Sequence, residues 1–495
     1  MLVPLPVRLP PRPGRGRAAG AVGAVLTVVL LVPACAADPA PPAAGPTGAS
    51  SSPAAPGATP GTPPASGPAS AAPSATPTAT ATFPASVIGR RMRWFVGQMS
   101  TDPVAGDLAT YFDSTFTQQV PPTQLLVMLG QLRTQGPWTV ENVTSDGDSG
   151  VATLVSARGG RFTLSMTVTK AGLIDGALLR TVAAGSAATS WSGVDARLKQ
   201  AAPDASVLAV TLDAAGRPTV VHRSGSQEAQ PVASIFKLYV LAAVAEQVAA
   251  GSLAWDRQLT LTAADVSLPS GDLRNSPPGT KITVRDAAQK MIAASDNTAA
   301  DLLLRTVGEP AVLAAATRAG NDHPEGITPF LSTRQMFWLA WDGSDAAKAA
   351  RAGWKDADAA QRRRLLSAVS ITGPGPASQD DAAHWSEGIE WFATPDDVVE
   401  AHVRLQRLAA APAGAPLREI LSKNGGVEVP GWSYQAFKGG SDTGVLGMSF
   451  YGEVGRGANA RRQALVVLGR GTSALDEATF VAATTDAAKL LSAAE

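Results

Sequence analysis

A serine and a lysine stand three positions apart in the stretch 231–238, which reads Pro-Val-Ala-Ser-Ile-Phe-Lys-Leu. The residues that follow, 239–244, are largely apolar and include neither Gly nor Pro, which predicts a buried helix that begins near Ser234. Residues i and i+3 share a helix face, so the Lys237 amine should reach the Ser234 hydroxyl. A serine becomes a nucleophile when a base takes its proton, and burial can lower the pKa of a lysine enough to make it that base. The pair therefore predicts nucleophilic catalysis, with a helix-capping serine beside an ordinary lysine as the alternative.

Two further motifs follow the Ser234-x-x-Lys237 pair along the chain. They are Ser295-Asp296-Asn297, at the end of a predicted helix, and Lys438-Gly439-Gly440, just before a predicted strand. In this order the three motifs resemble those of class A β-lactamases and penicillin-binding proteins. The resemblance covers roughly residues 190–495.

The family resemblance implies an α/β (α+β) domain of the β-lactamase/transpeptidase type at 190–495, with an antiparallel sheet and helices on both sides. The small domain in front of it makes the chain most similar to two-domain, exported β-lactamase-like proteins of high-GC bacteria. One of those is encoded beside the clavulanic acid biosynthesis genes.

The resemblance also implies roles for the side chains nearest the reacting bond. Ser234 would be the acylated nucleophile, and Lys237 would be its base or proton relay. Ser295 would carry a proton to the leaving group, and Asn297 would contact Lys237 and a substrate amide.

The third motif would supply the opposite wall of the site. Lys438 would attract a substrate carboxylate and depress the pKa of Lys237, and Gly440 and Ser441 would contact substrate. The backbone N–H groups of Ser234 and Ser441 would form an oxyanion hole, in which each donor is typically worth ~10²–10³ in rate.

Two departures from the family pattern bear on the reaction. Gly439 stands where a hydroxyl residue usually follows the lysine, so either Ser441 supplies that contact or the site is wider. The stretch 321–334 lacks the Glu-x-x-x-Asn pattern with which class A enzymes activate the deacylating water. Glu325, Glu387 and Glu390 are the acids available for that role.

Composition limits the other functions. The chain has 41 basic and 41 acidic residues and no basic block, so we expect no nucleic acid partner. One cysteine excludes a disulfide within the chain. Metal-ligand spacing is absent among the scattered histidines, so we expect no metal site and no cofactor. Those histidines are His222, His323, His384 and His402.

The first 35 residues look like a secretory signal. Arginines precede an apolar run, 18–34, that is short for a membrane span of roughly 20 residues. The run ends at Cys35 in a segment that resembles a bacterial lipobox, although Pro33 is unusual there. Lipidation of Cys35 would anchor the protein to the outer face of the cell membrane, and an uncleaved signal anchor is the alternative. Residues 36–82 are rich in Pro, Ala, Thr and Ser and predict a disordered linker, with a mucin-like glycosylated stalk as the alternative.

Residues 83–186 predict a small α+β domain. Helical patterns at 88–99, 108–116 and 123–132 precede strand-like runs at 138–143, 151–157, 161–169 and 173–181. This order resembles the cystatin/NTF2-like fold.

The sequence therefore predicts an exported serine hydrolase that acts through an acyl-enzyme on a small acyl substrate, namely a β-lactam, an ester or a cell-wall peptide. A D,D-peptidase is the enzymatic alternative. The non-enzymatic alternative is a lipoprotein that binds β-lactams or wall fragments without catalysis.

Overall fold

The computed structural model describes residues 81–494 except 101–107, 109, 120–124, 126–128, 130, 131, 134, 135, 157–160, 183–185, 269, 368–370, 372–381 and 424–428. The predicted signal sequence with Cys35, and nearly all of the predicted linker, lie outside the described residues. Within the described ranges, no helix has both the length and the apolar character needed to cross a membrane.

The N-terminal unit is a four-stranded antiparallel meander with a helix packed on it. Its strands, in sheet order, are β1 (Trp138–Asp146), β2 (Ser149–Ser156), β3 (Arg161–Val168) and β4 (Ile174–Val182). Helix α1 (Val87–Gln98) lies against β2 and β3, and its buried side chains share one apolar core with the strands. The predicted meander is confirmed.

The second predicted helix, 108–116, is interrupted rather than continuous. Leu108, Thr110 and Tyr111 are helical, the helical backbone breaks at the buried Phe112, which forms a bridge with Ile174, and helix α2 (Ser114–Gln119) follows the break. Asp113 N donates to Ile174 O at 2.8 Å, which directs this stretch of backbone to the sheet. Most of the third predicted helix, 123–132, lies outside the described residues.

The larger unit follows from residue 190 onwards. Its described strands are β5 (Asp204–Leu212), β6 (Pro218–Ser224), β7 (Gln230–Pro231), β8 (Gln258–Thr260), β9 (Lys281–Thr283), β10 (Phe392–Ala393), β11 (Trp432–Asp442), β12 (Val445–Val454) and β13 (Arg461–Arg470). Its described α-helices are α3 (Trp191–Ala201), α4 (Lys237–Ala249), α5 (Val284–Ala293), α6 (Asn297–Val307), α7 (Glu309–Arg318), α8 (Thr333–Trp341), α9 (Asp345–Ala352), α10 (Ala359–Ser367), α11 (Pro395–Ala409), α12 (Pro416–Ser422) and α13 (Glu477–Ala493).

A five-stranded antiparallel sheet organises this unit, in the order β11-β12-β13-β5-β6. Strands β12 and β13 are buried almost throughout, as expected for strands covered on both faces. Helices α3 and α13 share one core with the sheet, and a second core joins α4 and its neighbouring helices to it. The expected antiparallel sheet with helices on both sides is confirmed.

Candidate active site

Ser234 lies on a tight turn that leads into the central helix. Residues Ala233–Phe236 form one 3₁₀ turn, and α4 begins at Lys237, so the predicted helix start near Ser234 is confirmed. Helix α4 is buried along 237–245 because α6, α7 and α11 pack around it. Lys237 is therefore fully buried, and its Nζ lies 3.2 Å from Ser234 Oγ.

The second motif surrounds the Lys237 amine with acceptors. Lys237 Nζ donates to Ser295 O at 2.6 Å and to Asn297 Oδ1 at 2.6 Å, and it lies 3.1 Å from Ser295 Oγ. Ser295 adopts a left-handed φ of 51°, a conformation that a residue with a Cβ keeps only when its surroundings enforce it. Ser270, which the sequence did not single out, supplies part of that restraint, since its hydroxyl donates to Ser295 O at 2.7 Å.

The third motif lies on β11, at the edge of the sheet. Lys438 Nζ is 3.1 Å from Ser295 Oγ and donates to Gly439 O at 2.6 Å. The Ser295 hydroxyl therefore lies between two lysine amines, which is the arrangement that a proton relay requires. Ser441 is exposed and lies two residues beyond Gly439, so the two share a strand face.

A buried hydroxyl and imidazole support the backbone of Lys438. Ser449 Oγ donates to Lys438 O at 2.8 Å and lies 3.0 Å from His402 Nε2. Burial lowers the pKa of His402 to about 3, which favours the neutral ring. Because the Ser449 hydroxyl donates its hydrogen to Lys438 O, Nε2 is the donor in the contact with Ser449 Oγ. Ser449 lies opposite Lys438 in the β11–β12 register, a pairing that follows from strand alignment and carried no motif in the sequence.

Burial lowers the pKa of both lysines of the site, which favours their neutral amine forms. Desolvation lowers the pKa of Lys237 well below its usual value, and the charge of Lys438 lowers it further, against the opposing effect of Asp296 and Asp301. Burial also lowers the pKa of Lys438 to about 7. Lys237 can therefore be present as the free amine, the form that accepts a proton.

Gly440 lets β11 approach the Ser234 turn. A Cβ placed on Gly440 would lie 2.9 Å from Ser234 N and 3.1 Å from Ala233 Cβ, and closer still to Val232 O. The strand and the turn therefore touch backbone to backbone at Gly440, next to the Ser234 N–H group.

We expect Gly440→Ala to separate the strand from the turn. Overpacking should cost about 1–3 kcal/mol in the free energy of unfolding, and displacing an oxyanion donor should slow acylation ~10²-fold. Gly343→Ala is the matched control, because no neighbouring atom lies within 4 Å of a Cβ placed there. Thermal unfolding and acylation rates measured on both variants check this prediction, which an unimpaired Gly440→Ala enzyme would contradict.

The three candidate acids for water activation differ in position. Glu325 is exposed. Glu387 is half-buried and its Oε1 lies 3.2 Å from His384 Nδ1. Glu390 is buried beside the Ser234 turn, where its Oε2 lies 3.2 Å from Ala233 N.

Residues 194–425, which include Ser234, Lys237 and Ser295, match the profile of the beta-lactamase enzyme family. This range of the chain is therefore similar to that family, in agreement with the β-lactamase/transpeptidase-like fold expected from the sequence. The matched range ends before β11, the strand that carries Lys438. The contact between Lys438 Nζ and Ser295 Oγ shows that this strand belongs to the same site. Residues 83–174 match a second profile, that of the ORF 12 gene product N-terminal family. No curated protein matches the sequence.

Solved structures similar to the chain include β-lactamases and PBP-A. The β-lactamase of Sphaerobacter thermophilus is 23% identical, with a TM-score of 0.41 over 61% of this chain and 97% of its own. A β-lactamase from Burkholderia vietnamiensis is 16% identical, with a TM-score of 0.42 over 63% and 100%. PBP-A is 14% identical, with a TM-score of 0.39 over 60% and 94%.

Proposed function

We propose that the protein is an exported, membrane-tethered hydrolase that works through an acyl-enzyme on Ser234. One observation carries the proposal: the buried Lys237 amine lies within hydrogen-bond distance of Ser234 Oγ, Ser295 Oγ and Asn297 Oδ1 at once. An amine in this position can take the proton of the nucleophile and exchange it with a second hydroxyl.

In the first half of the reaction, Lys237 as the free amine removes the Ser234 hydroxyl proton while Oγ attacks the acyl carbon. The carbonyl electron pair moves to oxygen, and the N–H groups of Ser234 and Ser441 stabilise the resulting oxyanion. The bond to the leaving group then breaks, and Ser295 delivers a proton to it. Ser295 regains a proton from the lysine amines that flank its hydroxyl.

In the second half, water attacks the Ser234 ester, and the acid product and free serine are released. The pattern that activates this water in class A enzymes is missing from 321–334, and of the three candidate acids Glu325 and Glu387 lie in exposed or half-exposed positions. We therefore propose slow β-lactam turnover and efficient reaction with esters or amides.

The proposed substrates are small acyl donors: β-lactams, esters or cell-wall peptides. Lys438 and Asn297 would bind the carboxylate and amide groups of such donors, with Gly440 and Ser441 forming the wall. The lipobox-like Cys35 supports anchoring through an N-terminal lipid at the outer face of the membrane. The balanced charge of the chain gives no reason to propose a nucleic acid partner.

Intact mass spectrometry of the full-length protein, in mild detergent, tests the proposal. The protein would be mixed with penicillin G, a cephalosporin, p-nitrophenyl acetate and a D-Ala-D-Ala peptide, and adducts on Ser234 followed over time. We expect a persistent β-lactam adduct and rapid turnover of the ester.

Each of the other outcomes has a defined meaning for the proposal. Rapid clearance of the β-lactam adduct would indicate an efficient β-lactamase, and preferred turnover of the peptide would indicate a D,D-peptidase. The absence of any adduct would contradict the proposal and leave a binding lipoprotein.

A further inference from the structure

Glu390 is a buried acid whose polar contacts are made with the backbone. Its residue is 5% exposed, and its Oε2 accepts hydrogen bonds from Ala233 N at 3.2 Å and from Trp391 N at 2.7 Å. Its Oε1 is also buried and makes no hydrogen bond with any described residue. The carboxyl therefore joins two backbone segments and is shielded from water.

Glu390 connects its own segment to the backbone directly before Ser234, the proposed nucleophile. Ala233 has a left-handed φ of 44°, which its surroundings must enforce. Val232 N donates to Trp391 O at 2.9 Å, and Ala233 N donates to Glu390. Residues 390–391 thus hold two successive N–H groups, and the next N–H along the chain is that of Ser234.

The raised pKa of Glu390 favours a neutral carboxyl, which is compatible with a position beside the proposed oxyanion site. Burial raises the pKa of this carboxyl well above its usual value, and the negative charge of Asp442 on β11 raises it further. A neutral carboxylic acid accepts N–H hydrogen bonds through its carbonyl oxygen without adding a negative charge. A carboxylate in the same place would oppose the charge that develops on the acyl oxygen.

These contacts also argue against Glu390 as the base for deacylation. Two N–H groups already occupy Oε2, and Oε1 is buried from solvent. The raised pKa favours the protonated form of Glu390, and a protonated acid does not take a proton from water.

We propose that Glu390 is a positioning residue that sets the oxyanion-binding conformation of the Ser234 turn. By holding Ala233 N–H and Trp391 N–H on one oxygen, it fixes the direction in which Ser234 N–H points. The Gly440 backbone runs alongside that group, so both walls of the oxyanion hole keep their spacing. This inference rests on the proposed acyl-enzyme function.

The test measures acylation of the full-length protein by penicillin G and by p-nitrophenyl acetate, separating the rate constant at saturation from the half-saturating concentration. Glu390→Ala should lower the rate constant ~10²-fold, as loss of one oxyanion donor does, and leave the half-saturating concentration nearly unchanged. Glu390→Gln should retain the parent rate, because its carboxamide oxygen accepts the same two hydrogen bonds. Glu419→Ala, at a glutamate on α12 that pairs with Arg285 and Lys423, is the control and should also retain it.

A folding defect is separated from a positioning defect by the thermal midpoint of each variant and by Glu390→Asp. The aspartate side chain is one methylene shorter, so we expect its carboxyl not to reach Ala233 N. Slow acylation in Glu390→Asp together with normal acylation in Glu390→Gln therefore supports the inference, even if Glu390→Ala does not fold. Equal rates in the parent, Glu390→Asp and Glu390→Gln would overturn it.

Two further outcomes distinguish the inference from its rivals. An acyl-enzyme that accumulates in Glu390→Gln but clears in the parent would make Glu390 the base for deacylation and overturn the positioning role. If the unsubstituted protein forms no adduct, both the proposed function and this inference are contradicted. If the unsubstituted protein and Glu390→Ala are equally active, only this inference is contradicted.

Discussion

Ser234→Ala is expected to abolish the acyl adduct and to lower ester turnover by on the order of 10⁴-fold or more, because it removes the hydroxyl that forms the covalent intermediate. The fold should survive, since Ser234 is only partly buried and the turn is held by backbone hydrogen bonds from Val232 and Ile235. Intact mass spectrometry with penicillin G and a continuous assay with p-nitrophenyl acetate measure the two losses.

The control for this prediction is Ser252, just beyond the far end of α4 (Lys237–Ala249). Ser252 is exposed, and its hydroxyl donates to Gln247 O near the end of α4 at 3.1 Å. Ser252→Ala should form adducts at the parent rate. If Ser234→Ala keeps its adduct, a different nucleophile carries the reaction, and peptide mapping of the modified residue would identify it.

The local part of the site was predictable because helix geometry is local. Ser234 and Lys237 are separated by three positions, and a helical turn places two such side chains on one face whatever surrounds it. The sheet and the helices that cover it were expected from the family resemblance, and β12 and β13 are buried almost throughout, as strands covered on both faces are. The error at α2 arose where a tertiary contact, the Phe112–Ile174 bridge, overrode a helical pattern.

The distant part of the site depends on packing that periodicity does not encode. Lys438 reaches Ser295 across 143 positions. The family motif predicted that Lys438 lies near Lys237, which the residue pattern alone could not, but its contact with Ser295 was seen only in the structure. Glu390 reaches Ala233 across 157 positions, and its partner is a backbone N–H that leaves no trace in the sequence. The sequence accordingly placed Glu390 among three acids for water activation, and its burial and contacts favour a different role.

Lys237→Met and Lys237→Arg are both expected to slow acylation by ~10²–10⁴-fold, the usual contribution of a general base. Methionine has no base, and an arginine side chain stays protonated and cannot accept the Ser234 proton. If Lys237 contributed only positive charge, the arginine variant would keep most of the activity. Lys348→Met, at an exposed position on α9, is the control for loss of a lysine and should leave acylation unchanged.

The pH dependence of acylation gives the same test without altering Lys237. In the parent, the rate should fall as pH drops through the lowered pKa of Lys237, because the protonated amine cannot act as a base. Lys438→Met removes a neighbouring positive charge, so the pKa of Lys237 should rise and the acidic limb should move to higher pH. Acylation by p-nitrophenyl acetate, which has no carboxylate for Lys438 to bind, isolates this electrostatic effect. A limb that stays in place or moves to lower pH would show that Lys237 is not the group whose deprotonation starts the reaction.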